Sequence, residues 1–160
     1  MKRIILFRHG KSLWETGVSD FDRDLSFIGI ERTKKSIEAL KNQLDFDIDI
    51  WYSSPAQRAR RTAEMTAEAF SDAIQINFDE KLYTFSFFDL LKFIKNLDNQ
   101  YHNAIFFGHN EAYTEFVNRM SHDYLDNLPT SGVAILTFPT DDWQQLGKAT
   151  ISNIIKPKEL

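Results

Sequence analysis

Residues 4–14 read IILFRHGKSLW, and the apolar run stops abruptly at Arg8-His9-Gly10-Lys11-Ser12. A short continuous apolar run rich in β-branched residues and ended by charge predicts a strand buried on both faces. Such strands belong to the parallel sheets of α/β proteins. Two phosphate-handling devices begin in this way. Gly10-Lys11-Ser12 suggests a nucleotide-binding loop, but G-x-x-x-x-G-K-[ST] needs a glycine at position 5, where Ile5 stands. Arg8 and His9 would also have to fill the tight interior of that loop. The other device is a histidine presented at the end of a strand, and that reading finds support along the rest of the chain.

Residues 16–25 are polar and loop-like. Ser26 is placed to cap a helix running to about Leu44, with Ile30, Thr33, Ile37, Leu40 and Leu44 on one stripe. A second short strand is expected at Ile48 to Tyr52. Ser53-Ser54-Pro55 then opens a helix reaching about Phe70, with serine at the cap and proline in the first turn. A third strand is expected at Ile74 to Phe78 and a helix from Ser86 to about Leu97. Ala104 to Phe107 reads as another buried strand, followed by Gly108-His109 and a helix capped by Asn110. Val133 to Phe138 and roughly Lys148 to Ile155 read as two final strands. Strands alternating with helices predict an α/β layered fold with a mainly parallel sheet.

Arg8 and His9 follow the first strand, Arg58 lies in the first turn of the helix opened by Ser-Ser-Pro, and His109 follows a buried strand. Ligands of open α/β sheets bind beyond the carboxyl ends of parallel strands, and helix N-termini there favour an anion. Two arginines and two histidines at such positions outline a phosphate pocket. Arg60 and Arg61 read instead as a solvated helix face. His102 and His122 read as surface histidines. Tyr83, Phe85, Phe87 and Phe88 have two readings, core or pocket wall, and Phe87 fits the apolar stripe of its helix.

Composition sets the outer limits. The chain has 160 residues, 42% of them hydrophobic, a formal net charge of −4 and no cysteine. Thiol catalysis, disulfides and thiolate metal sites are excluded. The acidic balance argues against nucleic acid or anionic membrane as partner. No apolar stretch approaches the roughly 18 residues of a membrane span, and the start MKRIILFRHG is a poor signal peptide. One domain over residues 1–160 in the cytoplasm is the expectation.

Five segments together resemble the histidine phosphatase superfamily, in its short phosphohistidine-phosphatase branch of SixA type. They are Arg8-His9-Gly10; Asp22-Arg23-Asp24-Leu25-Ser26 with Gly29; Ser53-Ser54-Pro55-Ala56-Gln57-Arg58-Ala59 with Thr62; Gly108-His109-Asn110; and Pro129-Thr130-Ser131-Gly132-Val133-Ala134. The resemblance covers nearly the whole chain. It implies a phosphoglycerate mutase-like three-layer α/β/α sandwich with a mainly parallel central sheet. It also implies that His9 is a nucleophile that becomes phosphorylated, while Arg8, Arg58 and His109 hold the phosphoryl oxygens, with no metal and no other cofactor.

Mutase-type relatives carry a glutamate as general acid after the third strand. Residues 81–86 here read KLYTFS and contain no acid. Asp89 and Glu111 are the candidates for an acid or for the pocket rim; Asp20, Asp79 and Glu80 are weaker acid candidates, and Asp20 falls in the loop expected to border the entrance. Ser86-x-x-Asp89 also reads as a capping box, and Glu111 as a solvent-facing first-turn residue where close relatives carry proline. Arg23 matches a family position and is expected at the rim. The missing acid favours a substrate with an easy leaving group. The expected activity is therefore hydrolysis of phosphohistidine on a protein of the histidine phosphotransfer type. The alternatives are a small phosphate ester cleaved by a phosphatase or mutase with the same pocket, and a weakly active module that binds phosphorylated partners.

Overall fold

The computed structural model describes residues 1–160. Its strands are β1 (Lys2–Arg8), β2 (Ile50–Ser53), β3 (Ile76–Phe78), β4 (Asn103–Gly108), β5 (Val133–Phe138) and β6 (Thr150–Ile155). Its longer helices are α1 (Phe27–Gln43), α2 (Gln57–Phe70), α3 (Phe87–Lys95) and α4 (Ala112–Met120). The six strands form one sheet in the order β3-β2-β4-β1-β5-β6. The first four run parallel; β5 is antiparallel to β1, and β6 to β5.

The two-residue period of a strand divides the core. From β1, Ile5 and Phe7 pack with Ile37 and Leu40 of α1 and Ala63 and Ala67 of α2. Ile4 and Leu6 pack on the other face with Leu90 and Ile94 of α3 and Phe116 and Val117 of α4. Helices on both faces of a mainly parallel sheet make the three-layer sandwich expected from the sequence. All six residues of β4 are buried, as an interior parallel strand requires.

Local differences from the sequence reading have local causes. β3 and β6 each start two residues later than expected, and β2 runs from Ile50 to Ser53. Ser26 caps α1 as expected, accepting the Gly29 N–H. The serines before α2 do not cap it. Its N-cap is Ala56, with no side-chain bond, because the Ser54 hydroxyl sits two residues earlier and accepts the Ala56 N–H. Asn110 stands one residue ahead of the N-cap Glu111, yet its side-chain oxygen accepts the Thr114 N–H. The α1 stripe is more polar than expected. Gly29, Thr33 and Ser36 are buried with Ile37 and Leu40, and Thr33 is hydrogen-bonded to Ser131. Gly29 is required by close approach: a Cβ there would lie 2.1 Å from the Lys11 carbonyl oxygen. That contact seats the start of α1 directly on the turn that follows β1. The carboxyl ends of the adjacent strands β2, β4 and β1 then bring Ser54, His109 and His9 together.

Candidate active site

His9 leaves the end of β1 with its backbone held on both sides. Its N–H donates to Gly108 O at 3.1 Å, and its carbonyl accepts from Ser131 N at 3.1 Å. The next residue is fixed as well, since Gly10 N donates to the Thr62 hydroxyl, which itself donates to Arg58 O. The His9 ring lies with Nδ1 2.7 Å from Gly10 O. A carbonyl can only accept, so Nδ1 carries the proton and Nε2 presents a lone pair. Burial above all pushes the His9 pKa down to about 3; the Gly10 carbonyl opposes this, and the charges of Arg58, Arg8 and Arg23 add to it. The ring is therefore neutral at neutral pH.

One group contacts that lone pair, and two more lie close enough to the ring to act on it. Arg58, buried in the first turn of α2, donates Nε to His9 Nε2 at 3.3 Å. His109, at the end of β4, has its ring centroid 5.2 Å from that of His9. Burial, then the His9 ring and the charge of Arg58, lower its pKa to about 2. Its Nε2 is 2.8 Å from the Ser54 hydroxyl, and its buried Nδ1 has no partner. Arg8, on β1, donates Nη1 to Leu128 O at 2.8 Å, while its buried Nε has no partner. Burial lowers the Arg8 pKa, Glu111 opposes this, and Arg58 adds to the lowering. Unpaired buried polar groups cost about 1–3 kcal/mol each, so two in one place mark a site built for a ligand. The structure thus brings together the four residues expected to form the pocket.

The model of the histidine phosphatase superfamily (branch 1) matches residues 4–122. The chain belongs to that superfamily. Membership supports phosphatase or mutase chemistry for this chain. Its fold is similar to that of the protein histidine phosphatase SixA in complex with tungstate (TM-score 0.82, 19% identity, 98% of each chain covered). It is also similar to the putative phosphohistidine phosphatase SixA of Agrobacterium tumefaciens (TM-score 0.80, 25% identity, 98% of each chain). A 2,3-bisphosphoglycerate-dependent phosphoglycerate mutase of Porphyromonas gingivalis is 45% identical over 67 residues, 39% of this chain. That match spans 26% of the mutase.

The remaining candidates fall into separate places. Asp20 lies against the pocket. Its backbone carbonyl accepts from Arg58 Nη1 at 2.6 Å, and its carboxylate accepts from Arg58 Nη2 at 3.1 Å, from Arg23 Nη1 at 3.0 Å and from the Tyr83 hydroxyl. Desolvation favours its neutral form, but the Tyr83 hydrogen bond and the Arg58 charge outweigh this and hold the carboxyl near 2. Arg23 also packs 3.3 Å from the Trp14 ring and donates to Leu13 O, so it braces the loop after β1. Asp89 accepts from the Thr84 hydroxyl, and its N–H donates to the hydroxyl of Ser86, the N-cap of α3; the return bond of a capping box is not made, because Ser86 N donates to Thr84 instead. Glu111 is exposed at the start of α4. Arg61 pairs with Asp24. Arg60 is not simply solvated, because it lies over the Phe78 ring at 3.8 Å.

Several contacts were not readable beforehand. Leu128 contributes only a carbonyl, which any residue supplies, so no sequence signal exists for it. Ser54 stands in the Ser-Ser-Pro stretch, where the capping reading hid its bond to His109. Tyr83 and Phe85 resolve toward the pocket. Their ring centroids lie 5.3 and 5.4 Å from that of His109.

Proposed function

We propose that this chain is a metal-independent phosphatase that forms a covalent phosphohistidine on His9, with phosphohistidine on a protein as its substrate. The observation that carries the reading is the lone pair of His9 Nε2. It sits on a buried neutral ring, oriented by Gly10 O and flanked by Arg58, with Arg8 Nε and His109 Nδ1 unpartnered nearby.

In the first step His9 Nε2 bonds to phosphorus as the bond to the leaving group breaks and its electron pair departs with that group. Water then attacks phosphorus in the second step, returning the electron pair to Nε2 and releasing phosphate. Covalent catalysis of this kind divides one hard displacement into two easier ones. A ring with a pKa near 3 needs no deprotonation before attack at neutral pH. Charge in the transition state spreads over three equatorial oxygens. Arg58, Arg8 and His109 supply donors for them, and each guanidinium can engage two oxygens at once.

His109 must donate through Nδ1 to serve in this way. Nε2 must then accept, and the Ser54 hydroxyl is the donor within reach. Ser54 therefore fixes the productive tautomer of a ring that stays neutral. Ser54→Ala is expected to lower kcat about tenfold, the scale of losing one orienting hydrogen bond at a charge-stabilising group. Ser54→Thr should restore most of it. Nitrogen NMR of the His109 ring reports the tautomer directly; an unchanged tautomer in Ser54→Ala would remove Ser54 from this role.

Neither Asp20 nor Asp89 gives the leaving group acid help. Asp20 is ionised at neutral pH, since its carboxyl is held near 2. Asp89 is engaged by Thr84, and no acid stands in residues 81–86. A phosphohistidine ring protonated on its other nitrogen leaves without such help, whereas an alkoxide does not. The partial match to a phosphoglycerate mutase supports a second reading, with a small phosphate ester as substrate. A turnover panel of a phosphohistidine protein, phosphoserine and 3-phosphoglycerate separates the two. The expected order places the phosphohistidine protein first by kcat/KM. High turnover of 3-phosphoglycerate with none of the protein establishes the second reading.

EDTA is expected to leave the rate within experimental error. The pocket already supplies two fixed guanidiniums to the phosphoryl charge, and these repel a divalent cation. Loss of activity that only a divalent ion restores would overturn the metal-free mechanism.

A further inference from the structure

Beyond the phosphate pocket, the rings of Phe21, Tyr83, Phe85 and His109 form a continuous series. Phe21 meets Tyr83 edge-on at 5.4 Å, Tyr83 meets Phe85 at 6.0 Å, and both Tyr83 and Phe85 lie against His109. Phe85 is 54% exposed and Phe21 40% exposed. This exposed aromatic carbon lies next to a buried reactive cluster, where a bound group can pack on it.

The wall is held in place. Thr84 donates its hydroxyl to Asp89, Ser86 N donates to Thr84, and Asp89 N donates to the Ser86 hydroxyl at the start of α3. Phe85 is thereby set between the Tyr83 turn and the helix cap. These bonds also settle the polarity of the wall. The hydroxyls of Tyr83, Thr84 and Ser86 are all engaged within the protein, which leaves ring carbon as the principal free surface.

We propose that Tyr83 and Phe85, backed by Phe21, form a stacking subsite for a flat aromatic leaving group carried into the pocket on the phosphoryl group. The proposal rests on the phosphoryl-transfer reading and names the class of leaving group. Contiguity with His109 decides the occupant: what reaches this wall is the group bonded to phosphorus while the phosphoryl group contacts His9. A sugar or glycerate would bring hydroxyls or a carboxylate to ring faces, where the Tyr83 and Thr84 hydroxyls already donate to Asp20 and Asp89. An imidazole ring brings a face that packs on aromatic edges. Once protonated it also carries positive charge, which is favourable over aromatic rings and near the Asp20 carboxylate at the Tyr83 hydroxyl.

The chemical step balances without another reagent. Imidazolium, protonated on the nitrogen not bonded to phosphorus, takes the electron pair of the breaking P–N bond and leaves as neutral imidazole. The new bond is the one to His9 Nε2.

The test uses two substrates with the same labile bond, phosphoimidazole with a ring and phosphoramidate without one. For the wild type, kcat/KM for phosphoimidazole should exceed that for phosphoramidate. Phe85→Ala should reduce the ratio of the two about three- to tenfold, the scale of one aromatic contact. Phe85→Leu provides the same comparison with most of the side-chain volume kept. Binding gives a second readout: phenylphosphonate should inhibit the wild type more tightly than methylphosphonate, and the margin should shrink in Phe85→Ala. An unchanged ratio and margin in both variants would overturn the subsite while leaving the phosphatase reading intact. No turnover of either substrate by the wild type would overturn both.

Discussion

His9→Ala is expected to lower turnover of any phosphorylated substrate by about 10⁴-fold or more, the scale seen when a covalent nucleophile is removed. The phosphoryl-enzyme should vanish with it. Rapid quenching of wild type with a labelled substrate should place the label on residue 9 as an acid-labile, base-stable phosphoramidate. Label on any other residue would overturn the mechanism. The variant should still fold, because the backbone of this position is held by Gly108 and Ser131 whatever its side chain. Its stability against pH is a separate readout. In the wild type the unfolded ring takes up a proton near pH 6.5, but the folded ring only near 3. The unfolded state therefore binds more protons between these values, and stability falls as pH drops through that window. His9→Ala removes this contribution, so its stability should fall less steeply with acid. His109, displaced in the same direction, keeps its own share. A variant that is inactive and yet has the acid sensitivity of the wild type would show that His9 is not buried and neutral.

The legible parts of this protein are those in which side-chain pattern decides structure. The run Ile4–Phe7 becomes β1, and the alternation of its side chains assigns each helix pair to a face of the sheet. The Ser86 half of the capping box could be read because a cap depends on local spacing, and the Asp89 N–H is on Ser86; the Asp89 carboxylate goes to Thr84 instead. The candidate site was legible where reactive residue types stand at strand ends or in the helix turn that follows: Arg8-His9, Arg58 and His109 lie on three segments far apart in sequence and meet in space. Asp20 was only partly legible. Its position after β1 suggested the rim, but nothing in sequence indicates that its carboxylate accepts from two arginines and a tyrosine 63 residues away. Those long-range bonds hold its carboxyl near 2 while they are in place. Ser54 was misread for a related reason. A serine before a helix satisfies the local capping rule, while its bond to His109 follows from β2 and β4 lying side by side.

Arg58→Ala is expected to reduce kcat/KM about 10³-fold, and Arg58→Lys to recover little of it. The guanidinium is buried and fully extended among its partners: Nε on His9, Nη1 on the Asp20 carbonyl and Nη2 on the Asp20 carboxylate. Binding of the phosphoryl group requires this fork to turn part of its donor set from Nε2 and Asp20 to phosphate oxygens. Nε2 is thereby freed as the electrophile arrives. In the proposed mechanism one residue thus guards the nucleophile in the free enzyme and neutralises charge in the transition state, and loss of such a donor costs about 10²–10³ in rate. Lysine supplies a point charge but neither the planar fork nor the reach to several acceptors at once. The stability cost should be small by comparison, because Asp20 is about half exposed and keeps Arg23 and Tyr83 as partners. Two titrations distinguish this role from a merely structural one. Without the Arg58 charge the His9 pKa should rise from about 3, since that charge helps to depress it. The Asp20 carboxyl should rise from about 2, having lost both a donor and a neighbouring cation. Carbon and nitrogen NMR of the two side chains in Arg58→Ala would follow both. A large kinetic loss with neither group displaced would mean that Arg58 acts from outside the pocket, and the phosphate site would have to be redrawn around Arg8 and His109 alone.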